Sequence, residues 1–268
     1  MFGFEEENKN FGPMRELDPN RIDQRNLGLG TWLSSGSPVV AELASVFNFD
    51  WLLFDLEHGC LTEHSLLHCM QTVKSKNTRI IVRVPRLDEK LIAKVLDWGA
   101  VGIMLPQVEN PIEVEACLKA MRYPPNGSRG YSSSARSYDY GFKKPENPVE
   151  LPSPIFIAQI ENIRGVENAP AIAAIEGVDV LFIGPSDLKL AIASYVGVLS
   201  KGYDQILKDV IHVCIQHGKQ AGILISETSD IVIIQNMGFS CIAVGSDLGI
   251  LRNGYQEIIY KYHNGTKK

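Results

Sequence analysis

The chain has 268 residues, 45% hydrophobic and 21% charged, which is enough to bury a sizeable core and falls within the range of one α/β barrel domain. Its net charge of -5 and pI near 5.7, with no basic block longer than two residues, leave no electrostatic footprint for nucleic acid or an anionic membrane and favour small-molecule partners. The five cysteines (Cys60, Cys69, Cys117, Cys214, Cys241) are scattered and never form a CxxC pair. They suggest neither a disulfide framework nor a zinc site, and read as reduced, mostly buried thiols. No stretch approaches the roughly 18 to 20 apolar residues of a transmembrane helix, and the polar, acidic start is unlike a signal peptide, so a cytoplasmic location is expected.

Residues 1–26 read as a charged N-terminal extension, a surface arm preceding a single barrel domain over 27–268. From there, short apolar β-branched runs alternate with longer amphipathic segments. The candidate strands are Leu27 to Leu33, Trp51 to Phe54, Arg79 to Val84, Val101 to Leu105, Ile155 to Ile160, Val178 to Ile183, Gln220 to Ile225 and Cys241 to Val244. Helix-like segments between them include Thr62 to Lys74, Asp88 to Trp98, Pro111 to Met121, Val166 to Ala174, Tyr203 to His217 and Thr228 to Met237. Strands alternating with helices in this number are the signature of a (β/α)8 TIM barrel, and nearly continuous apolar strands fit a parallel sheet covered on both faces. The Pro-, Gly- and Ser-rich stretch from Tyr123 to Ser153 interrupts the alternation and reads as a long loop of the kind that serves a site.

A barrel collects its chemistry at the C-terminal ends of its strands. Strand two runs from Trp51 into Asp55, Glu57 and His58; strand three carries Arg83; strand five delivers Gln159 and Glu161; strand six runs into Gly184-Pro-Ser-Asp187. Glu161 and Asp187 are hard oxygen donors suited to Mg²⁺ or Mn²⁺ with positions left for water and substrate; Co²⁺ or Zn²⁺ would also be accepted, and no organic cofactor is called for. Arg83 would present a permanent planar cation to a carboxylate or developing enolate. His58, beside acids able to fix its tautomer, is the natural general base. No strand interior holds a lysine, which speaks against chemistry through an imine.

Taken singly, each residue has a plainer reading. Asp187 could simply cap the next helix, His58 could sit in a turn, Arg83 could form a structural ion pair, and Asp97 in Leu-Asp-Trp-Gly near a helix end is structural by default. Convergence at one end of one barrel favours the functional reading.

From about Leu27 to Arg252 the chain resembles the HpcH/HpaI aldolase family, metal-dependent class II pyruvate aldolases of the phosphoenolpyruvate/pyruvate superfamily. The resemblance rests on Gly30-Thr-Trp, Asp55-Leu-Glu-His58, Arg83-Val-Pro, Leu96-Asp-Trp-Gly, Arg122-Tyr-Pro-Pro-Asn-Gly-Ser-Arg-Gly130, Gln159-Ile-Glu161, Gly184-Pro-Ser-Asp-Leu188 and Val244-Gly-Ser-Asp-Leu248. It implies that Glu161 and Asp187 bind the metal, that Glu57 holds its water, and that Gln159, Gly184, Pro185, Ser186 and Leu224 line the substrate, with the backbone amides of Gly184 to Ser186 on its carboxylate. Arg83 would stabilise a pyruvate enolate, His58 would take the C4 hydroxyl proton, and Asp55 and Asp97 would position that histidine. The implied reaction is cleavage of a 4-hydroxy-2-oxo acid to pyruvate, or a close analogue, and an aldehyde. The family habit of exchanging C-terminal helices implies a homo-oligomer, hexamer or dimer, in which Asp247 to Tyr262 packs on a partner. Two features differ or add to the pattern: Lys189 to Gly197 departs from many relatives and would border the aldehyde pocket, and the hydroxyl-rich Tyr131 to Gly141 could read a sugar-like substrate. The alternatives are a CoA-thioester or citrate-lyase-like lyase, a phosphate-binding barrel, which the glycine-free Ser226-Glu-Thr disfavours, and a non-catalytic scaffold.

Overall fold

Alternation along each strand builds the barrel from two apolar layers. In the computed structural model, which describes residues 25–75, 77–195 and 201–264, eight parallel strands close in chain order. They are β1 (Leu29–Leu33), β2 (Trp51–Asp55), β3 (Arg79–Arg83), β4 (Gly102–Leu105), β5 (Ile155–Ile160), β6 (Val180–Ile183), β7 (Gln220–Ile225) and β8 (Cys241–Ser246). The helices are α1 (Pro38–Val46), α2 (Glu63–Thr72), α3 (Glu89–Asp97), α4 (Pro111–Met121), α5 (Ile163–Ala173), α6 (Pro185–Ala193), α7 (Tyr203–Gln216), α8 (Ile231–Met237) and α9 (Asp247–Asn264). The expected (β/α)8 architecture is therefore present.

Outward residues such as Leu52, Phe54, Val82 and Ile103 join the larger core between strands and helices. The inward set fills the lumen, with Trp51, Leu53, Ile81, Met104, Ile157 and Val180 all buried. Trp32, Trp51 and Phe182 meet there with ring centroids 5.5 to 6.2 Å apart, so the barrel is plugged and chemistry is confined to its mouth. The inward period of two then continues from Trp51 and Leu53 to Asp55, from Ile81 to Arg83, and from Ile155 and Ile157 to Gln159, placing polar side chains in the top layer.

Local chemistry fixes the helix starts more sharply than periodicity does. Thr62 and Asp88 cap α2 and α3 with their side chains and do not belong to the helices. Asn162 accepts from Gly165 N–H at 2.8 Å and starts α5 three residues ahead of the expected Val166. α6 begins directly after its N-cap Gly184, so Asp187 lies in its first turn and does not cap it.

Two expectations about connections change. The 123–153 stretch joins the C-terminal end of α4 to the start of β5, so it lies at the N-terminal mouth, opposite the strand ends that carry the polar cluster. There Arg129 N–H binds Arg122 O at 2.9 Å and the Arg136 guanidinium binds Trp98 O. The hydroxyl-rich Tyr131 to Gly141 is thus turned away from the site of its own barrel. The departure at Lys189 to Gly197 is helix up to Ala193, and its last two residues lie outside the described ones.

Of the N-terminal extension, residues 1–24 lie outside the described ones. Arg25 pairs with Asp179 at 2.6 and 2.9 Å, and Leu27 N–H donates to Gln220 Oε1 at 2.8 Å, pinning the entry to the N-terminal mouth. Cys69, Cys117, Cys214 and Cys241 are buried, as read from the sequence, while Cys60 is exposed. Among the described residues no helix is long and apolar enough to cross a membrane.

Candidate active site

Strand register sets the first contact. Asp55 and Arg83, the last residues of β2 and β3, are Cα partners. Their side chains form a two-pronged pair, Nε to Oδ1 at 2.8 Å and Nη2 to Oδ2 at 2.7 Å. Both are almost fully buried, with side chains 8% and 3% exposed for Arg83 and Asp55. Burial works against the guanidinium charge, but the Asp55 hydrogen bonds and the neighbouring acids outweigh it and push the Arg83 pKa up, so the cation is permanent. Trp32 lies beneath it, its ring centroid 5.5 Å from Arg83 Cζ.

The remaining Arg83 nitrogen faces Gln159 and Glu57. Nη1 reaches Gln159 Oε1 at 3.5 Å and lies 3.0 Å from Glu57 Oε2. That oxygen is off the hydrogen-bonding line and is buried without a hydrogen-bond partner. Gln159 in turn donates through Nε2 to Glu161 Oε2 at 2.5 Å, and Gln107 N–H donates to Glu161 Oε1 at 2.8 Å. Gln107 holds a left-handed φ of 52°, an uncommon conformation for a non-glycine residue, and the turn it makes presents the amide to Glu161. Side-chain chemistry gives no signal for this contact, because a backbone group makes it.

Glu161 sits so deep that burial, together with the charges of Asp187 and Glu57, pushes its pKa up to about 7 despite the Gln107 hydrogen bond. Burial also raises that of Glu57. Gly184 makes the crowding possible: a Cβ there would stand 2.3 Å from Glu161 Oε2 and 2.9 Å from Gln159 Nε2. Glu161 and Glu57, both desolvated, therefore repel each other and the exposed Asp187 beside them, and Glu57 has an orphaned oxygen. A divalent cation is the partner that such a donor set lacks. Among the described residues no three His, Cys, Asp or Glu side chains form a group placed to hold a metal ion; Glu161 and the nearby Asp187 would offer a divalent cation two hard carboxylate donors. The residues fit the group.

The expected carboxylate grip narrows. Gly184 N–H is engaged with Ile160 O at 3.3 Å and Pro185 has none, so the free amides are those of Ser186 and Asp187 in the first turn of α6, where orphan N–H groups and the helix dipole favour an anion. Leu224 is half-buried and packs against the lumen cluster.

His58 lies at the C-terminal mouth where the sequence places it, whereas Asp97 does not lie beside it. The imidazole is 66% exposed on the rim with Nε2 3.8 Å from Glu57 Oε1. Asp55 reaches only the backbone N–H of His58, at 3.3 Å, and that of Glu57, at 3.0 Å. Asp97 ends α3, at the N-terminal mouth, where Arg129 Nη2 binds it at 2.6 Å. It stands across the barrel from its own chain's His58.

The loops of the C-terminal mouth are acidic. The connections from strand to helix contain Glu57, Asp88, Glu109, Glu161, Glu227 and Asp230, against a single arginine or lysine, Arg86.

A TIM barrel whose mouth holds a buried arginine against a carboxylate cluster defines a class of enzyme that stabilises negative charge beside a cation. Comparison with known proteins makes the family plain. The family model HpcH/HpaI aldolase/citrate lyase matches residues 28–254, and the chain belongs to this family. It is 34% identical over 230 residues to a 5-keto-4-deoxy-D-glucarate aldolase of Salmonella arizonae, covering 86% of this chain and 90% of that one. It is 32% identical to the aldolase of the same description from Escherichia coli O6:H1, covering 91% and 96%. Among solved structures, an HpcH/HpaI aldolase/citrate lyase family protein from Burkholderia cenocepacia superposes with a TM-score of 0.81 at 26% identity, over 90% and 96% of the two chains. The protein is an aldolase-type lyase.

Proposed function

We propose that the chain is a divalent-metal-dependent aldolase that reversibly cleaves a 4-hydroxy-2-oxo acid to pyruvate, or a close analogue, and an aldehyde. The observation that carries this reading is the Arg83 guanidinium, locked by Asp55 and set beside the Gln159–Glu161 pair. Breaking the bond between C3 and C4 leaves a carbanion alpha to a ketone, and its stabilisation needs fixed positive charge in a dry site.

Glu161 and Asp187 would hold Mg²⁺ or Mn²⁺, which when bound supplies Lewis-acid charge to the oxygens of the 2-oxo acid. Arg83 offers its Nη1 edge, which also faces Gln159 and Glu57, to the enolate oxygen as charge develops, while Asp55 holds the other edge in place. The Ser186 and Asp187 amides receive the substrate carboxylate, and Gln159, Gly184 and Leu224 shape the wall around it. His58, on the rim, takes the C4 hydroxyl proton during cleavage and returns it during condensation, and Glu57 lies near enough to orient the ring. Among the described residues no lysine is buried to serve as an imine former.

Support for the substrate comes from the relatives named for 5-keto-4-deoxy-D-glucarate, a six-carbon sugar diacid. The citrate-lyase side of the family name invites a CoA-thioester reading, but a mouth whose loops hold six carboxylates and one arginine offers little to nucleotide phosphates. The reading also includes self-assembly. Asp97 can serve a His58 only across an interface between copies, and α9 exposes Leu248, Ile250, Leu251, Ile258 and Ile259, an apolar surface suited to a second barrel. The test is pyruvate formation from 4-hydroxy-2-oxo acids with Mg²⁺ or Mn²⁺, with Arg83→Ala and Glu161→Ala alongside; the account expects both variants to lose the activity.

A further inference from the structure

We infer that Arg86 selects the aldehyde partner, by taking the carboxylate of an aldehyde acid at the rim of the mouth. The inference rests on the aldolase reading above and deepens it. Arg86 lies in the connection from β3 to α3, three residues after Arg83, so the two Cα atoms are at most about 11 Å apart. That span suits a substrate whose 2-oxo acid end sits against Arg83 and whose other end emerges toward solvent.

Charge on the rim singles the residue out. The strand-to-helix connections contain six carboxylates and no lysine, and Arg86 is their one guanidinium. Arg83 is buried and engaged in ion pairs with Asp55 and Glu57. Asp88, the acid nearest to Arg86 in sequence, directs Oδ1 to the N–H groups of Lys90 and Leu91. Arg86 is exposed and makes no hydrogen bond or ion pair among the described residues. An acidic mouth repels a dianionic substrate, and a free planar cation with a two-pronged donor edge offsets that repulsion at the distal carboxylate. Competing cations on helices that start at this mouth are Lys189 on α6, 4.8 Å from the centroid of the Tyr203 ring, Arg164 on α5, paired with Glu109 at 3.2 Å, and the exposed Lys90 on α3.

The experiment is condensation of pyruvate with succinic semialdehyde and with neutral propionaldehyde, in wild type and in Arg86→Ala, Arg86→Lys, Arg86→Glu and Lys189→Ala. Wild type should prefer the acid aldehyde, and Arg86→Ala should lower the kcat/KM preference for it by about 10- to 100-fold, the range of one lost charge-assisted contact. The loss should fall mainly on KM, be partly restored in Arg86→Lys and deepen in Arg86→Glu. Equal losses on both aldehydes, no loss, or the same shift from Lys189→Ala would overturn the assignment. Exchange of the pyruvate methyl protons, which needs no aldehyde, is followed in parallel. Its absence from wild type would overturn the aldolase reading and this assignment together, whereas intact exchange with an unchanged preference would overturn the role of Arg86 alone.

Discussion

Asp55 holds one whole edge of the Arg83 guanidinium, with Nε at 2.8 Å and Nη2 at 2.7 Å, and leaves Nη1 toward Gln159 and Glu57. The pair is buried, so removing the acid strands a charge away from water. Asp55→Ala should destabilise the fold by about 3 to 5 kcal/mol, seen as a lower urea midpoint. Arg83→Lys keeps the charge but loses the fork, and should lower kcat toward the Arg83→Ala level, a loss of about 10²- to 10³-fold. Near-normal kcat in Arg83→Lys would mean that charge alone suffices.

Glu161 gives a pH dependence of definite sign. Its folded-state value, about 7, lies above its ordinary 4.5. Without metal the folded chain therefore keeps a proton that the unfolded chain releases, and stability should fall as pH rises through that window, then level off. Metal needs the ionised carboxylate, so affinity for Mn²⁺ should rise with pH up to about 7, by up to about tenfold per pH unit. Calorimetric titrations across that range check this, and Glu161→Gln should flatten the residual dependence.

Gly184→Ala tests the crowding at the metal carboxylate. The new Cβ would fall within 2.3 Å of Glu161 Oε2, so Glu161 or the start of α6 must move. Metal affinity should drop by at least about tenfold, in line with the loss of a group that orients a ligand, and stability should fall as for an overpacked buried site, by about 1 to 3 kcal/mol, seen as a lower melting temperature. Unchanged Mn²⁺ binding would show that the pocket yields freely.

Asp97 and α9 test the assembly. With Asp97 across the barrel from its own His58, Asp97→Ala and Glu161→Ala variants should each be inactive alone. After dissociation and mixing, random pairing should rebuild intact sites in roughly a quarter of positions. No recovery, or full activity in Asp97→Ala, would remove Asp97 from the site. Truncation before Gly249 removes most of the exposed apolar surface of α9 and should reduce the mass measured by light scattering.

Most of the site was legible because the period of two in a strand fixes which residues share the lumen. Once Trp51 and Leu53 point inward, Asp55 must as well. The cluster of Asp55, Arg83, Gln159 and Glu161 follows from composition and spacing. What sequence could not supply were contacts made by backbone or across mouths: the Gln107 amide on Glu161, the engagement of Gly184 N–H by Ile160, and the end of α3 at which Asp97 lies. The hydroxyl-rich loop was misplaced for a related reason. Its composition resembles that of a site-serving loop, and only its position after α4 reveals which mouth it faces.

The central claim is that Glu161 and Arg83 together stabilise a pyruvate enolate. Exchange of pyruvate methyl protons with deuterated water, followed by NMR with Mg²⁺ or Mn²⁺ present, reads that step without an aldehyde. Wild type should exchange at a metal-dependent rate that Glu161→Ala and Arg83→Ala each reduce by about 10²-fold or more. Equally slow exchange in wild type and both variants, with every metal tried, would contradict the account.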